Sequence, residues 1–141
     1  MSVLWSCESR FDIAIADCLI IYIHNSGLGV GIAAEAFITH KINTTVIEID
    51  PQVYDYARRY FSLPEPTQVY FQDGREWVQE HALPTAAEKY DYVVHDCFSG
   101  GGVPGHIYTV EFWEELKGLV KSDGVVAVVR IFLLKLTVEG R

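Results

Sequence analysis

The run Cys18-Leu19-Ile20-Ile21-Tyr22-Ile23-His24, followed directly by Asn25-Ser26-Gly27-Leu28-Gly29-Val30-Gly31 and then by Ile32–His40 (IAAEAFITH), decides the fold. The first segment is apolar and β-branched without alternation, the pattern of a strand buried on both faces. A glycine-rich turn follows. Helix formers at helical apolar spacing come next. Strand, glycine turn and helix together open an α/β fold, and the rest of the chain repeats the alternation. Thr44–Ile49 (TTVIEI) reads as a second buried strand. Pro51 suits the first turn of a helix over Gln52–Phe61, and Pro64 and Pro66 mark a loop. Gln68–Phe71 reads as a short third strand, Arg75–His81 as a short helix and Ala82–Lys89, with Pro84, as a loop. Tyr90–His95 is a fourth strand and Ser99–Gly105 a flexible glycine-rich loop. Thr109–Lys121 is an amphipathic helix, Ser122-Asp123-Gly124 a turn and Val125–Leu134 a fifth strand. Such alternation predicts a doubly wound, mainly parallel sheet, with ligands beyond the carboxyl ends of its strands.

Length and composition bound what this fold can do. A chain of 141 residues predicts one domain over 1–141. Half of it is apolar and 13% aromatic, enough for a core and too much for a disordered chain. The net charge of −8 argues against nucleic acid or an anionic membrane as partner. Cys7, Cys18 and Cys97 have neither disulfide-framework nor zinc spacing and are expected to be small buried hydrophobes. The apolar run Ile13–Ile23 is broken by Asp17 and falls short of the roughly 20 residues that span a bilayer. With no basic residue before Arg10, no signal peptide is expected either, and the chain reads as cytoplasmic.

The chemistry should therefore sit in the loops after each strand. Gly27-x-Gly29-x-Gly31 lets backbone approach a ligand without Cβ obstruction. The dinucleotide fingerprint needs a glycine where Ile32 stands, so a nicotinamide site is disfavoured. Gly-x-Gly-x-Gly is instead the form of S-adenosylmethionine (AdoMet) sites; a tight turn without a ligand is the plainer alternative. Glu48, about 20 residues on, can accept both hydroxyls of a ribose. Asp50, before Pro51, is expected to cap the next helix. Asp73-Gly74 offers a carboxylate to the exocyclic amine of an adenine, but is also an ordinary turn. Asp96 lies where a reacting group would sit, to deprotonate an incoming amine or stabilise a sulfonium; capping the following turn is its structural alternative. His24 and His95 lie in strands and read as core histidines. His40, His81 and His106 show no metal-ligand spacing. Trp77, the Phe112-Trp113 pair and Tyr54, Tyr56 and Tyr60 are expected to pack. Glu48→Ala is expected to remove nucleoside binding and leave the fold largely intact.

Taken in order, Gly27-Leu28-Gly29-Val30-Gly31, Val46-Ile47-Glu48-Ile49-Asp50-Pro51, Gln72-Asp73-Gly74 and Tyr90-Asp91-Tyr92-Val93-Val94-His95-Asp96 resemble the spermidine/spermine synthase family and its AdoMet-dependent methyltransferase-like relatives, over roughly residues 18 to 129. The resemblance implies a class I methyltransferase-like Rossmann fold and AdoMet or its decarboxylated form as cofactor. It gives the ribose to Glu48, the adenine to Asp73 and the aminoacyl end to the glycine loop. Asp96 matches the catalytic aspartate. Two family carboxylates that hold a cationic amine are replaced here, by Val30 and Ser99. The run Asp-x-Phe-x-Gly-Gly-x-Val-Pro from Asp96 looks like the methyltransferase branch. The chain has no room for an N-terminal β domain before Cys18, and its tail Arg130–Arg141 departs from the family, so a C-terminal truncation is expected. Such a sheet edge invites self-association. The leading expectation is methyl transfer to an unknown acceptor. Aminopropyl transfer to a polyamine and a catalytically inactive scaffold domain are the alternatives.

Overall fold

The computed structural model describes residues 28, 30–82, 89–97 and 104–129, and for 19–24 the backbone alone. Its elements are β1 (Leu19–His24), α1 (Ile32–Thr39), β2 (Asn43–Glu48), α2 (Pro51–Tyr60), β3 (Gln68–Phe71), α3 (Gly74–His81), β4 (Tyr90–His95), a 3-10 turn (Gly105–Ile107), α4 (Val110–Leu119) and β5 (Val120–Val128). The five strands form one parallel sheet in the order β3-β2-β1-β4-β5. Strand order reverses at β1, so a crevice is expected outside the carboxyl ends of β1 and β4. This is the doubly wound sheet that the alternation predicts.

Neighbouring residues on a strand face opposite sides of the sheet. On β2, Val46 packs with Leu28, Ala34, Ala57 and Leu63, whereas Ile47 packs with Trp77, Val78, Phe112 and Leu116. On β4, Val94 and Val93 divide in the same way. Helices α1 and α2 therefore cover one face and α3 and α4 the other. Side-chain caps start the helices where the strands stop. Asp50 Oδ1 accepts from the Gln52 amide at 2.8 Å with Pro51 behind it, and Thr109 Oγ1 accepts from the Phe112 amide at 3.2 Å. Asp50 is thus the cap that its sequence predicts.

Two packing expectations fail. The turn expected at Ser122–Gly124 lies inside β5, and α4 stops at Leu119. Tyr90 pairs with Val120 and Tyr92 with Val125, so the extra residues of β5 bulge out of the ladder. Lys121 Nζ holds Asp91 Oδ2 at 2.9 Å across this bulge. Gly124 is required there: a Cβ would lie 2.6 Å from Val120 Cγ1 and 3.0 Å from the carbonyls of Tyr90 and Asp91. Residues 130–134 of the expected fifth strand lie outside the described residues. Tyr56 and Tyr60, expected to pack, are 53% and 71% exposed and lean on each other instead. Tyr54 does pack, edge-on against Phe71. Among the described residues no helix is long and apolar enough to cross a membrane.

Candidate functional site

The parallel sheet brings the carboxylates singled out in the sequence to one edge. Glu48 ends β2, Asp73 lies just beyond β3, and Asp96 follows the last residue of β4. The register pairs His24 with Glu48, Glu48 with Phe71 and Ile23 with His95, so all three exits lie at one level. The Gln72 amide donates to the Glu48 carbonyl at 3.1 Å, tying the β3 exit to the end of β2.

Glu48 is fully buried. Its Oε2 accepts from the Leu28 amide at 3.0 Å and its Oε1 from the Asp50 amide at 2.9 Å. A buried carboxylate needs such partners, because an unsatisfied charge there is costly. Glu48 consequently also joins the glycine loop to the start of α2. The expectation that its removal spares the fold is corrected by these two bonds, since Glu48→Ala leaves both amides without this acceptor. Ile49, the next residue, is 43% exposed, and Phe71 across the ladder is 52% exposed. These two apolar surfaces flank the acidic exits, and the sequence reading missed them.

Asp73 caps α3, its Oδ1 accepting from the Arg75 amide at 2.7 Å. Its Oδ2 lies 3.0 Å from His106 Nε2, a contact that bridges the loops after β3 and β4. In the sequence His106 shows no metal-ligand spacing. Only the fold brings it to a residue 33 positions away. Arg75 forms an ion pair with Glu115, fastening α3 to α4 beside this contact and holding the guanidinium proton more tightly than usual.

Gly31 heads α1 with φ 78°, the left-handed region that favours glycine. A Cβ there would meet Leu63 Cδ1 at 3.0 Å, so the described neighbour that demands a glycine is a core leucine. Gly74 is the buried first residue of α3. Gly27, Gly29 and Ser99 lie outside the described residues.

His95, the last residue of β4, is fully buried, as a core histidine should be. Nε2 donates to the Ile107 carbonyl at 3.2 Å. Nδ1 finds no hydrogen-bond partner among the described residues, so the ring is only half satisfied. Burial pushes its pKa below the ordinary histidine value, against smaller upward pulls from the Ile107 carbonyl, its own backbone and Asp96. Trp77 and Phe112 are core, as expected, and Cys97 is the small buried residue that its sequence predicts. Among the described residues no cluster of histidine, cysteine or acidic side chains is arranged to hold a metal ion.

Residues 27–134 match the family model of the spermine/spermidine synthase domain. A curated relative from Emericella nidulans, an N-terminal histidine N-methyltransferase, is 45% identical over 102 residues, covering 72% of this chain and 18% of its own. A polyamine aminopropyltransferase from Vibrio vulnificus is 35% identical over 103 residues, covering 70% of this chain and 34% of its own. The chain thus spans a fifth to a third of the length of these relatives. Among solved structures, human methyltransferase-like protein 13 in complex with SAH superposes with a TM-score of 0.69 at 22% identity, over 82% of this chain and 55% of that one. That likeness fixes the class I methyltransferase-like fold.

Proposed function

Because this chain belongs to the spermine/spermidine synthase domain family, we propose that it forms the AdoMet-binding part of a transferase that moves a methyl group to an acceptor nitrogen. The observation that carries the reading is the pair of acidic exits on adjacent strands. Strands in a sheet lie about 4.8 Å apart, so a single nucleoside can reach the ends of β2 and β3 together. The donor set suits an adenosine: one carboxylate for a diol, one for an exocyclic amine, and exposed Ile49 and Phe71 for the flat apolar base. Glu48 takes the ribose, each of its oxygens keeping acceptor capacity beside the backbone amide it already holds. Asp73 takes the adenine amine, with Gly74 beside it, and Gly27, Gly29 and Gly31 admit the aminoacyl end. When bound, AdoMet supplies an electrophilic methyl group. Asp96 accepts a hydrogen bond from the acceptor N–H and takes its proton. The acceptor class we infer is an N-terminal histidine, the group named for the Emericella nidulans relative.

Aminopropyl transfer is the second reading, favoured by the Vibrio vulnificus relative. Val30 and Ser99 weigh against it, because each charge-assisted hydrogen bond lost to a cationic amine costs about 1.5–3 kcal/mol. Three scattered cysteines without disulfide-framework spacing suit a reducing cytoplasm, which we keep as the location. Thermal-shift titration with AdoMet, S-adenosylhomocysteine, decarboxylated AdoMet and NAD tests the reading. Stabilisation by the first two and none by NAD is expected; silence with both adenosyl ligands would overturn it. In the full-length protein, Asp96→Asn should cut turnover more than cofactor affinity. Cofactor binding without turnover would favour the scaffold role.

A further inference from the structure

We propose that His95 is a positioning residue, acting through the 3-10 turn Gly105–Ile107 to seat His106 against Asp73 at the adenine end of the site. The inference rests on the adenosine reading above for its functional meaning, and on contacts within this chain for its geometry.

His95 lies under the turn. Its Nε2 donates to the Ile107 carbonyl at 3.2 Å, which requires the proton on that nitrogen. Tyr108, Trp113 and Phe112 enclose the ring, with centroids 4.7, 4.8 and 5.4 Å away. A phenyl ring would fill this aromatic box without an unpartnered Nδ1. Packing alone therefore gives no reason for an imidazole here; the bond to Ile107 does. Desolvation favours the neutral ring, and the Ile107 carbonyl selects the tautomer with its proton on Nε2.

The turn transmits that bond. Ile107 is the next residue after His106, and a turn of three residues leaves little slack between them. The Tyr108 amide donates to the Gly105 carbonyl at 3.1 Å, and the Tyr108 hydroxyl donates to the Cys97 carbonyl at 3.4 Å. The turn is thereby held both to the end of β4 and to the segment after Asp96. Its outer residue, His106, meets Asp73 Oδ2 at 3.0 Å while Oδ1 serves the Arg75 amide. Whatever approaches Asp73 thus meets a carboxylate whose second oxygen is oriented by His106. The core imidazole sets where that orienting group stands.

A double-mutant cycle tests this. His95→Phe keeps the aromatic volume and removes the donor; His95→Gln restores an amide N–H; His106→Ala removes the outer contact. S-adenosylhomocysteine affinity is read by calorimetry on the chain. Either His95→Phe or His106→Ala should weaken binding by about tenfold, the scale of one such hydrogen bond. The double variant should be no worse than the singles, and His95→Gln should recover most of the loss. Additive losses, or full affinity in His95→Phe, would overturn the proposal. A ligand-free arm separates this from the adenosine reading. In the wild-type background the His106 imidazole NMR signal should move on Asp73→Asn. In His95→Phe that response should vanish; a response of full size would sink the positioning role whatever the nucleoside does. If wild type binds no S-adenosylhomocysteine, the cofactor reading fails and this arm still decides. His95→Asn, too short to reach Ile107, replaces His95→Phe if the latter does not fold.

Discussion

On the α1–α2 face of the sheet the buried residues are Leu28, Ala34, Val46, Ala57 and Leu63; on the α3–α4 face they include Trp77, Phe112, Ile107, Leu116 and His95. The first set is small and aliphatic. It lets α1 start at a left-handed Gly31 packed on Leu63, and it serves the site through backbone, with two amides gripping Glu48. The second set is large and aromatic and serves the site through side chains, by way of His95, His106 and Asp73. Bulky rings bring polar handles with them. Accordingly, the two buried side-chain nitrogens lacking a partner among the described residues, Trp77 Nε1 and His95 Nδ1, both lie on the aromatic side. One face thus offers preset backbone, and the other offers groups whose alignment depends on packing.

The largest contrast should appear in stability. Trp77→Ala should cost about 3–5 kcal/mol, because a ring 1% exposed leaves a cavity that its stacked partner His81 and neighbour Tyr70 cannot fill. Ala57, at the corresponding depth of the other face, has no large side chain to lose. Denaturant unfolding measures the difference. A Trp77→Ala loss under about 1 kcal/mol would mean that the aromatic layer collapses freely and that the contrast is false.

Next comes Glu48. Removing it leaves the Leu28 and Asp50 amides without this acceptor, at about 1–3 kcal/mol for the buried Leu28 group and less for the partly buried Asp50 one. Glu48→Ala should therefore lower both nucleoside affinity and folding stability. If binding disappears with stability unchanged, the carboxylate serves the ligand alone and the backbone role fails. Gly31→Ala should cost about 1–2 kcal/mol from its left-handed backbone, plus whatever Leu63 must yield. A neutral effect in unfolding experiments would show that α1 can shift away from Leu63.

The same division explains what the sequence made legible. The parallel, doubly wound sheet follows from alternation, and Glu48, Asp50 and Asp73 from their places at strand exits, because strand ends and helix caps are set by residues one to three apart. The Asp50 cap and the core places of Trp77 and Phe112 were readable on that basis. Contacts between distant segments were not. Nothing local about His106 signals Asp73, and nothing about Arg75 signals Glu115, 40 residues away. Ser122–Gly124 was misread because a turn and a bulge use the same residues, and only the ladder partner distinguishes them. Tyr56 and Tyr60 were misread because helical spacing states which residues share a face, not whether that face is covered.

The smallest expected effect is the most selective between the two faces. Burial lowers the pKa of His95 in the native state, more than the Ile107 carbonyl, the histidine's own backbone and Asp96 raise it. An unfolded histidine titrates near about 6.5. Below that pH the unfolded chain takes up a proton that the native ring refuses, so acid favours unfolding. The contribution of His95 is thus fully present above the unfolded value and is lost as pH falls toward the native one, with a slope of at most about 1.4 kcal/mol per pH unit. His95→Phe should flatten that part of the stability profile between about pH 7.5 and 5.5. Leu63→Ala, in the aliphatic layer, should lower the profile without changing its slope, since it removes no titratable group. Equal slopes for wild type and His95→Phe in denaturant titrations would mean that the ring accepts its proton in place. Burial of His95 in the aromatic face would then carry no penalty in acid.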